Sequence, residues 1–322
     1  MGVSKAVLGE PAIANAMIQG GVKFIADSRL ENIQRMRNSG ISAQFVLLRT
    51  ILSQAESTVK YVDISLNSEL TILKALSHYA TIQQQIHRVI IMVELGDLRE
   101  GVCPQDLSSF FRQVLALSHL EIVGMGCNLA CYGGVKPDTK NMHELSTQAD
   151  RLEQEFCLDL KIISGGNSAN YDWYNRSQST DRINNLRLGE SILLGRETLH
   201  RTAIPGLHTG AFQLVGEVIE SKRKPSIPRG DVGQDAFGNI PHFQDRGVHQ
   251  RSIVALGRQD VSVAGLSSHQ GVTIIGASSD HLILDSANQV LEIGREIQFD
   301  LDYGALLAAM TSPFVHKIFL DQ

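Results

Sequence analysis

Long apolar runs are the first thing this 322-residue chain lacks. A membrane helix needs about 20 consecutive apolar residues, and no stretch approaches that, so no membrane partner is expected. An excess of one charge is missing too. Lys and Arg number 29 against 34 Asp and Glu, a net −5 with an isoelectric point near 6.1, which offers no electrostatic case for nucleic acid. Cysteine is scarce: Cys103, Cys127, Cys131 and Cys157 do not make a disulfide framework. Cys127 and Cys131 suggest half a metal site, but no matching Cys/His pair follows, so no metal is expected. The start has no charged segment leading into a long apolar one, so no secretion signal is read and the cytoplasm is the default compartment. Low-complexity segments and short repeats are also absent. The balance of 43% hydrophobic and 20% charged residues is ordinary for a soluble globular protein.

What is present is an alternation. Strand-like apolar runs occur at Val3–Val7, Lys23–Ala26, Gln44–Leu48, Val62–Leu66, Arg88–Leu95, Glu121–Cys127, Leu160–Ile163 and Asn185–Leu188. Helical patterns separate most of them, at Pro11–Gln19, Arg29–Arg37, Ser68–Tyr79, Gln105–Leu117 and Asp138–Phe156. Eight strands with helical crossovers, each strand apolar enough to be buried on both faces, predict an α/β fold, a (β/α)8 TIM-like barrel over residues 1–207. After Leu207 the rhythm changes to short strand-like runs punctuated by Gly, Pro, Asn and Asp, which predicts a smaller, mostly-β domain over 208–322.

Barrel chemistry sits where strands end. The first strand ends at Lys5, read either as a surface lysine near a terminus or as an amine desolvated in the barrel mouth and thereby suited to Schiff-base chemistry. The fifth runs into Gly96-Asp97-Leu98-Arg99-Glu100-Gly101 and the sixth ends at Cys127-Asn128. The seventh ends in Ser164-Gly165-Gly166-Asn167-Ser168, a plain tight turn or a phosphate cradle. The eighth carries Arg187-Leu188-Gly189. Lysine, phosphate loop and inward arginine together suggest pyridoxal 5′-phosphate: Lys5 on the aldehyde, 164–168 on the phosphate, Arg187 facing the pyridine nitrogen.

These stretches resemble the fold-type III enzymes of the alanine racemase superfamily, in particular their alanine/ornithine racemase branch. The resemblance rests on Val3-Ser4-Lys5-Ala6-Val7, Asp63-Ile64-Ser65-Leu66-Asn67-Ser68-Glu69, the 96–101 and 164–168 loops, Asn128-Leu129 with Cys131-Tyr132-Gly133-Gly134, and Asn184–Glu190. In the second domain it rests on Asp235-Ala236-Phe237-Gly238, Gly257-Arg258-Gln259-Asp260, Gly276–His281 and Asp302–Leu307. It implies a racemase that interconverts L- and D-amino acids, ornithine first, with lysine, alanine and serine behind it, by proton transfer between two bases. Lys5 is then cofactor lysine and one base. Asn128 lies beside the ring, and Arg187 donates to the ring nitrogen without protonating it. The competing role of Arg187 is an ion pair with Glu190. Arg99 holds the substrate carboxylate or a neighbouring group, or pairs with Glu100 or Asp97.

The family's second base is a tyrosine from the partner subunit, and the matching segment here has Phe237, which carries no ionisable group. Tyr303, Asp280 and His281 are left as candidates, with Asp280 also able to hold the distal ammonium of a diamino acid; structural hydrogen bonding is their alternative role. A homodimer with its active site at the subunit interface is implied. The family also has about thirty residues ahead of the lysine strand that are missing from this sequence, so a stub of a first strand is expected. Four other readings compete with this one. A single-domain pyridoxal-phosphate homeostasis protein lacks the second domain. A D-amino-acid aldolase or dehydratase needs a His/Cys metal site in that domain, where this chain has no cysteine. A decarboxylase needs a Cys-Asp motif not found here. A Schiff-base aldolase barrel needs neither the phosphate loop nor Arg187.

Overall fold

Val3, Ala26, Val46, Ile64, Leu66, Ile90, Met92 and Val123 form one buried apolar cluster. They come from successive strands β1 (Gly2–Val3), β2 (Phe24–Asp27), β3 (Gln44–Leu47), β4 (Ile64–Asn67), β5 (His87–Val93) and β6 (Leu120–Cys127). Side chains alternate along a strand, so the residues between them face the other way. Val89, Ile91 and Val93 pack with Leu73 and Leu76, Leu107 and Phe111, and Met142 and Leu145. Those belong to helices α4 (Leu70–Ile82), α5 (Leu107–Leu115) and α6 (Thr139–Phe156). Their buried positions recur every three or four residues, the spacing of a helix face. Each fully buried large side chain contributes about 1.5–3 kcal/mol. Asp138 and Asn141 cap α6 reciprocally, with Asn141 N donating to Asp138 Oδ1 at 2.8 Å and Asp138 N to Asn141 Oδ1 at 2.9 Å.

The computed structural model describes residues 1–269 and 271–320. The chain divides into two compact units, Met1–Leu207 and His208–Gln322. In the first, β1 to β6 and β7 (Ile162–Ser164) pair in parallel in sequence order. The crossovers also carry α1 (Pro11–Gln19), α2 (Leu30–Asn38) and α3 (Ala55–Tyr61), and after β7 come α7 (Tyr171–Arg176) and α8 (Glu190–Leu194).

The expected eighth strand, Asn185–Leu188, is not a regular strand. It makes one parallel bridge on each side, Asn185 with Ser164 and Leu188 with Gly2. Val3 N donates to Leu188 O at 2.8 Å and Gly165 N to Asn185 O at 3.0 Å. The segment therefore lies between β7 and β1 and closes the (β/α)8 barrel. Side chains replace part of the ladder there: Ile163 N donates to Asn184 Oδ1 at 2.9 Å and the Ser164 hydroxyl to Asn185 Oδ1 at 2.8 Å.

The first strand is also shorter than the apolar pattern Val3–Val7 implied. It stops at Val3, and Lys5–Val7 turn as a 3-10 helix. Ser4 causes the break. Its carbonyl accepts from Val7 N and Gly9 N, at 3.0 and 3.1 Å, instead of extending the sheet.

The second unit is a six-stranded antiparallel sheet in the order β10-β13-β8-β9-β12-β11. Its strands are β8 (Gln213–Pro225), β9 (Val248–Val254), β10 (Leu266–Ser267), β11 (Thr273–Ala277), β12 (Leu282–Asp285) and β13 (Glu296–Leu301). Leu214, Val218, Val254, Leu282, Ile297 and Phe299 lie in its core with Ala305 and Ala309 of α9 (Tyr303–Thr311). That helix was not anticipated; Asp302 caps it, accepting from Ala305 N at 2.7 Å. Among the described residues no helix is long and apolar enough to cross a membrane.

Candidate active site

Lys5 follows the buried end of β1. Its neighbour Ser4 is fully buried, and the Ser4 hydroxyl donates to Asp27 Oδ2 at 2.7 Å. Lys5 itself is exposed. The burial by protein atoms expected for its amine is therefore not found; the 3-10 turn carries the side chain off the strand line.

Arg187 lies on the closing segment and is buried. One Nη donates to the Ser164 hydroxyl at 2.6 Å, the other to Cys127 O at 2.7 Å and Asn128 Oδ1 at 3.4 Å. Three residues at two strand ends thus hold one guanidinium, every acceptor is neutral, and the planar fork fixes its orientation. Burial lowers the Arg187 pKa, the largest influence on it. Glu190, the expected alternative partner, pairs with Arg201. Asn128 is also buried. Its Oδ1 accepts from Asn167 Nδ2 at 3.1 Å, while its Nδ2 has no partner. A buried amide donor without an acceptor is costly, and this one lies beside Arg187.

Within the 164–168 loop the residues divide their work. Ser164 is occupied by Arg187 and Asn185, so it positions the arginine. Asn167 ties loops together through Asn128 Oδ1, Leu129 O at 2.8 Å and Ala169 N at 2.8 Å. Gly165 carries the turn and gives its N–H to Asn185 O. Gly166 has φ +140°, and a Cβ there would lie 2.2 Å from Asn170 Oδ1, so only glycine fits. Ser168 is buried, its hydroxyl 3.1 Å from that of Ser191 and accepting from Ser191 N at 3.2 Å. Ser191 was missed in the sequence; its signal was the Gly189-Glu190-Ser191 turn opening α8 directly after the closing segment.

The loop after β5 is organised by carboxylates. Glu94 accepts from Leu98 N at 3.1 Å and Arg99 N at 3.2 Å. Asp97 is buried and accepts from the backbone N–H groups of Cys131, Tyr132 and Gly133, at 3.1–3.3 Å. Arg99 forks onto Glu100. The guanidinium expected to receive a substrate carboxylate therefore already holds a neighbour's. Cys127 is buried, its thiol pushed up to about 12 by burial, whereas Cys131 is exposed.

Tyr303, Asp280 and His281 belong to the second unit. Tyr303 opens α9. Asp280 Oδ1 lies 2.7 Å from His281 Nδ1, and His281 holds the Asp280 carboxyl below its usual range. An ionised Asp280 accepts the Nδ1–H, which leaves Nε2 as the basic nitrogen. Phe237 lies under the Arg258 guanidinium, 4.1 Å from ring centroid to Cζ.

Residues 1–197 match the family described as alanine racemase, N-terminal domain. The chain is 43% identical over 301 residues to an ornithine racemase of Acetoanaerobium sticklandii, covering 92% of this chain and 85% of that protein. It is 35% identical over 322 residues to a lysine racemase of Thermotoga maritima, covering 99% and 90%. In fold it is similar to an alanine racemase of Clostridium difficile 630, with a TM-score of 0.72 at 17% identity over 95% of this chain and 85% of that one. A histidine racemase of Leuconostoc mesenteroides gives a TM-score of 0.70 at 18% identity over 100% and 91%. The chain belongs to the alanine racemase family, defined by that family's N-terminal domain.

Proposed function

We propose that this chain is a pyridoxal 5′-phosphate-dependent racemase of a diamino acid, ornithine first, with Lys5 as the residue that holds the cofactor. The observation that carries the reading is the buried Arg187 guanidinium beside the unpartnered Nδ2 of Asn128, in the same barrel mouth as Lys5. Similarity to ornithine and lysine racemases supports the substrate class. The residues fit the group. Asn128 Nδ2 needs an acceptor, Arg187 has N–H groups beyond the three hydrogen bonds it makes, and Gly166, Ser168 and Ser191 build a close-approach loop of the kind phosphates occupy.

When bound, the cofactor supplies an electron sink that stabilises negative charge on the substrate's α-carbon. Lys5 Nζ would hold the cofactor and, as a free amine, would serve as the base for the α-proton on one face. Arg187 would donate to the ring nitrogen and, because a guanidinium keeps its own proton, would restrain the sink. Ser164 and Cys127 O aim that guanidinium, and Asn128 would lie beside the ring. The second base is assigned to the second unit of a partner copy in a homodimer: Tyr303 or the Asp280–His281 pair would return the proton, and Asp280 would accept a distal ammonium. A homodimer belongs to this reading.

The test is a visible spectrum with added cofactor, before and after borohydride, for wild type and Lys5→Ala, followed by α-proton exchange of ornithine, lysine and alanine in heavy water. A band that borohydride removes in wild type and that Lys5→Ala lacks, with fastest exchange on ornithine, is expected. The same band in Lys5→Ala overturns the role of Lys5. If Tyr303→Phe, Asp280→Asn and His281→Gln each keep full activity, the second unit returns no proton. Sedimentation at two concentrations tests the dimer.

A further inference from the structure

The segment that carries Lys5, residues 4–10, is seated on one carboxylate and one helix. Ser4 N donates to Ala26 O at 2.9 Å and its hydroxyl to Asp27 Oδ2 at 2.7 Å. The other oxygen of the same carboxylate, Oδ1, accepts from Arg29 N at 2.9 Å and Asn32 Nδ2 at 3.0 Å, at the start of α2. Gly9, at φ +56°, presses on that helix so closely that a Cβ would lie 2.8 Å from Asn32 Cβ. Beyond it, Arg35 of α2 donates to Leu8 O at 2.5 Å and pairs with Glu10 at 3.5 Å. Ser4 and Asp27 are both fully buried, and all three groups donating to the carboxylate are neutral.

A buried carboxylate without a cation is expensive, and capping α2 alone would need only Oδ1. Oδ2 goes to the residue directly before Lys5. We propose that Asp27 is a positioning residue for Lys5: through the Ser4 hydroxyl it sets where the 3-10 turn leaves β1, and so where the lysine amine stands. This rests on the cofactor role given to Lys5 above. Misplacing a reacting amine by about 1 Å can cost about 100-fold in rate, so the effect belongs in kcat rather than KM.

The experiment compares wild type, Ser4→Ala, Asp27→Asn and the double variant, each checked for folding by its thermal midpoint. The readouts are the pH dependence of Lys5 acylation in the cofactor-free protein, then kcat and KM with cofactor. Both single variants are expected to displace the acylation midpoint in the same direction and to lower kcat about tenfold, with KM within about twofold. The double variant is expected to be no worse than the stronger single one, because both cut one connection. An unaltered midpoint and kcat in Ser4→Ala, or losses that multiply in the double variant, overturn the proposal. If Asp27→Asn does not fold, Ser4→Ala alone decides by the same two readouts. A wild type in which borohydride fixes no cofactor on Lys5 refutes both the function above and this role; a wild type that fixes it, with unaltered variants, refutes only the role of Asp27.

Discussion

Arg187 donates to the Ser164 hydroxyl at 2.6 Å, and both side chains are buried where β7 meets the closing segment. Its other Nη reaches Cys127 O at 2.7 Å. A lysine is a point charge on a flexible stem and cannot reproduce two divergent bonds. Arg187→Lys is expected to lower kcat at least about tenfold, about 1.4 kcal/mol, and to shift the cofactor's absorption maximum. An unchanged rate and spectrum would remove Arg187 from the ring.

Gly166→Ala tests the loop. The φ of +140° disfavours any Cβ, and the 2.2 Å approach to Asn170 Oδ1 adds a clash. Asn170 Oδ1 accepts from Asn167 N at 3.0 Å, so moving it loosens the turn. The expected cost is about 1–3 kcal/mol in denaturant unfolding, with a weaker cofactor dissociation constant in titration.

His87 makes stability pH-dependent. It is buried against the Ser65 hydroxyl at 2.8 Å, and burial lowers its pKa to about 4. Unfolded, the imidazole titrates near 6.5. Above that pH both states are neutral and the full stability is present. As pH falls from about 6.5 to about 4, only the unfolded state gains the proton, so stability is lost. Over that window the loss from this residue is about 3 kcal/mol. Denaturant melts of wild type and His87→Gln should show a shallower slope in the variant; parallel slopes would count against a neutral His87.

Cysteine accessibility divides the thiols. Cys131 and Cys157 are exposed, Cys103 is half-buried and Cys127 is buried with its thiol pushed up to about 12. The thiolate is the reactive form. Iodoacetamide followed by peptide mapping should label Cys131 and Cys157 in the native protein and leave Cys127 free until unfolding. Early labelling of Cys127 would mean that the Arg187 shelf opens.

The barrel was legible because parallel strands buried on both faces leave apolar runs, and because Lys5, Asn128, 164–168 and Arg187 lie in or just beyond such runs. Less visible was how those residues divide the work. Ser164 reads as a phosphate donor in sequence, yet its hydroxyl serves Arg187, because the closing segment brings the two 23 positions together. The end of β1 departs from the apolar pattern for a similar reason: the Ser4 carbonyl turns back onto Val7 N and Gly9 N while its hydroxyl is held by Asp27, 23 positions away. Arg99 shows the opposite case. Its pairing with Glu100, the next residue along the chain, is legible from adjacency, and adjacency prevails. The α9 helix that Tyr303 begins follows from the Asp302 cap, a signal of one residue beside a short apolar run.

The closing segment also dictates an order of events in folding. Val3 and Leu188 meet across 185 positions of chain. Contacts of such separation form late, since the entropy of closing the loop comes due before the contact rewards it. Arg187 stands on that last seam, and Lys5 leaves the strand it seals. A nascent or partly unfolded chain therefore has the lysine and the loop but not the clasp between them.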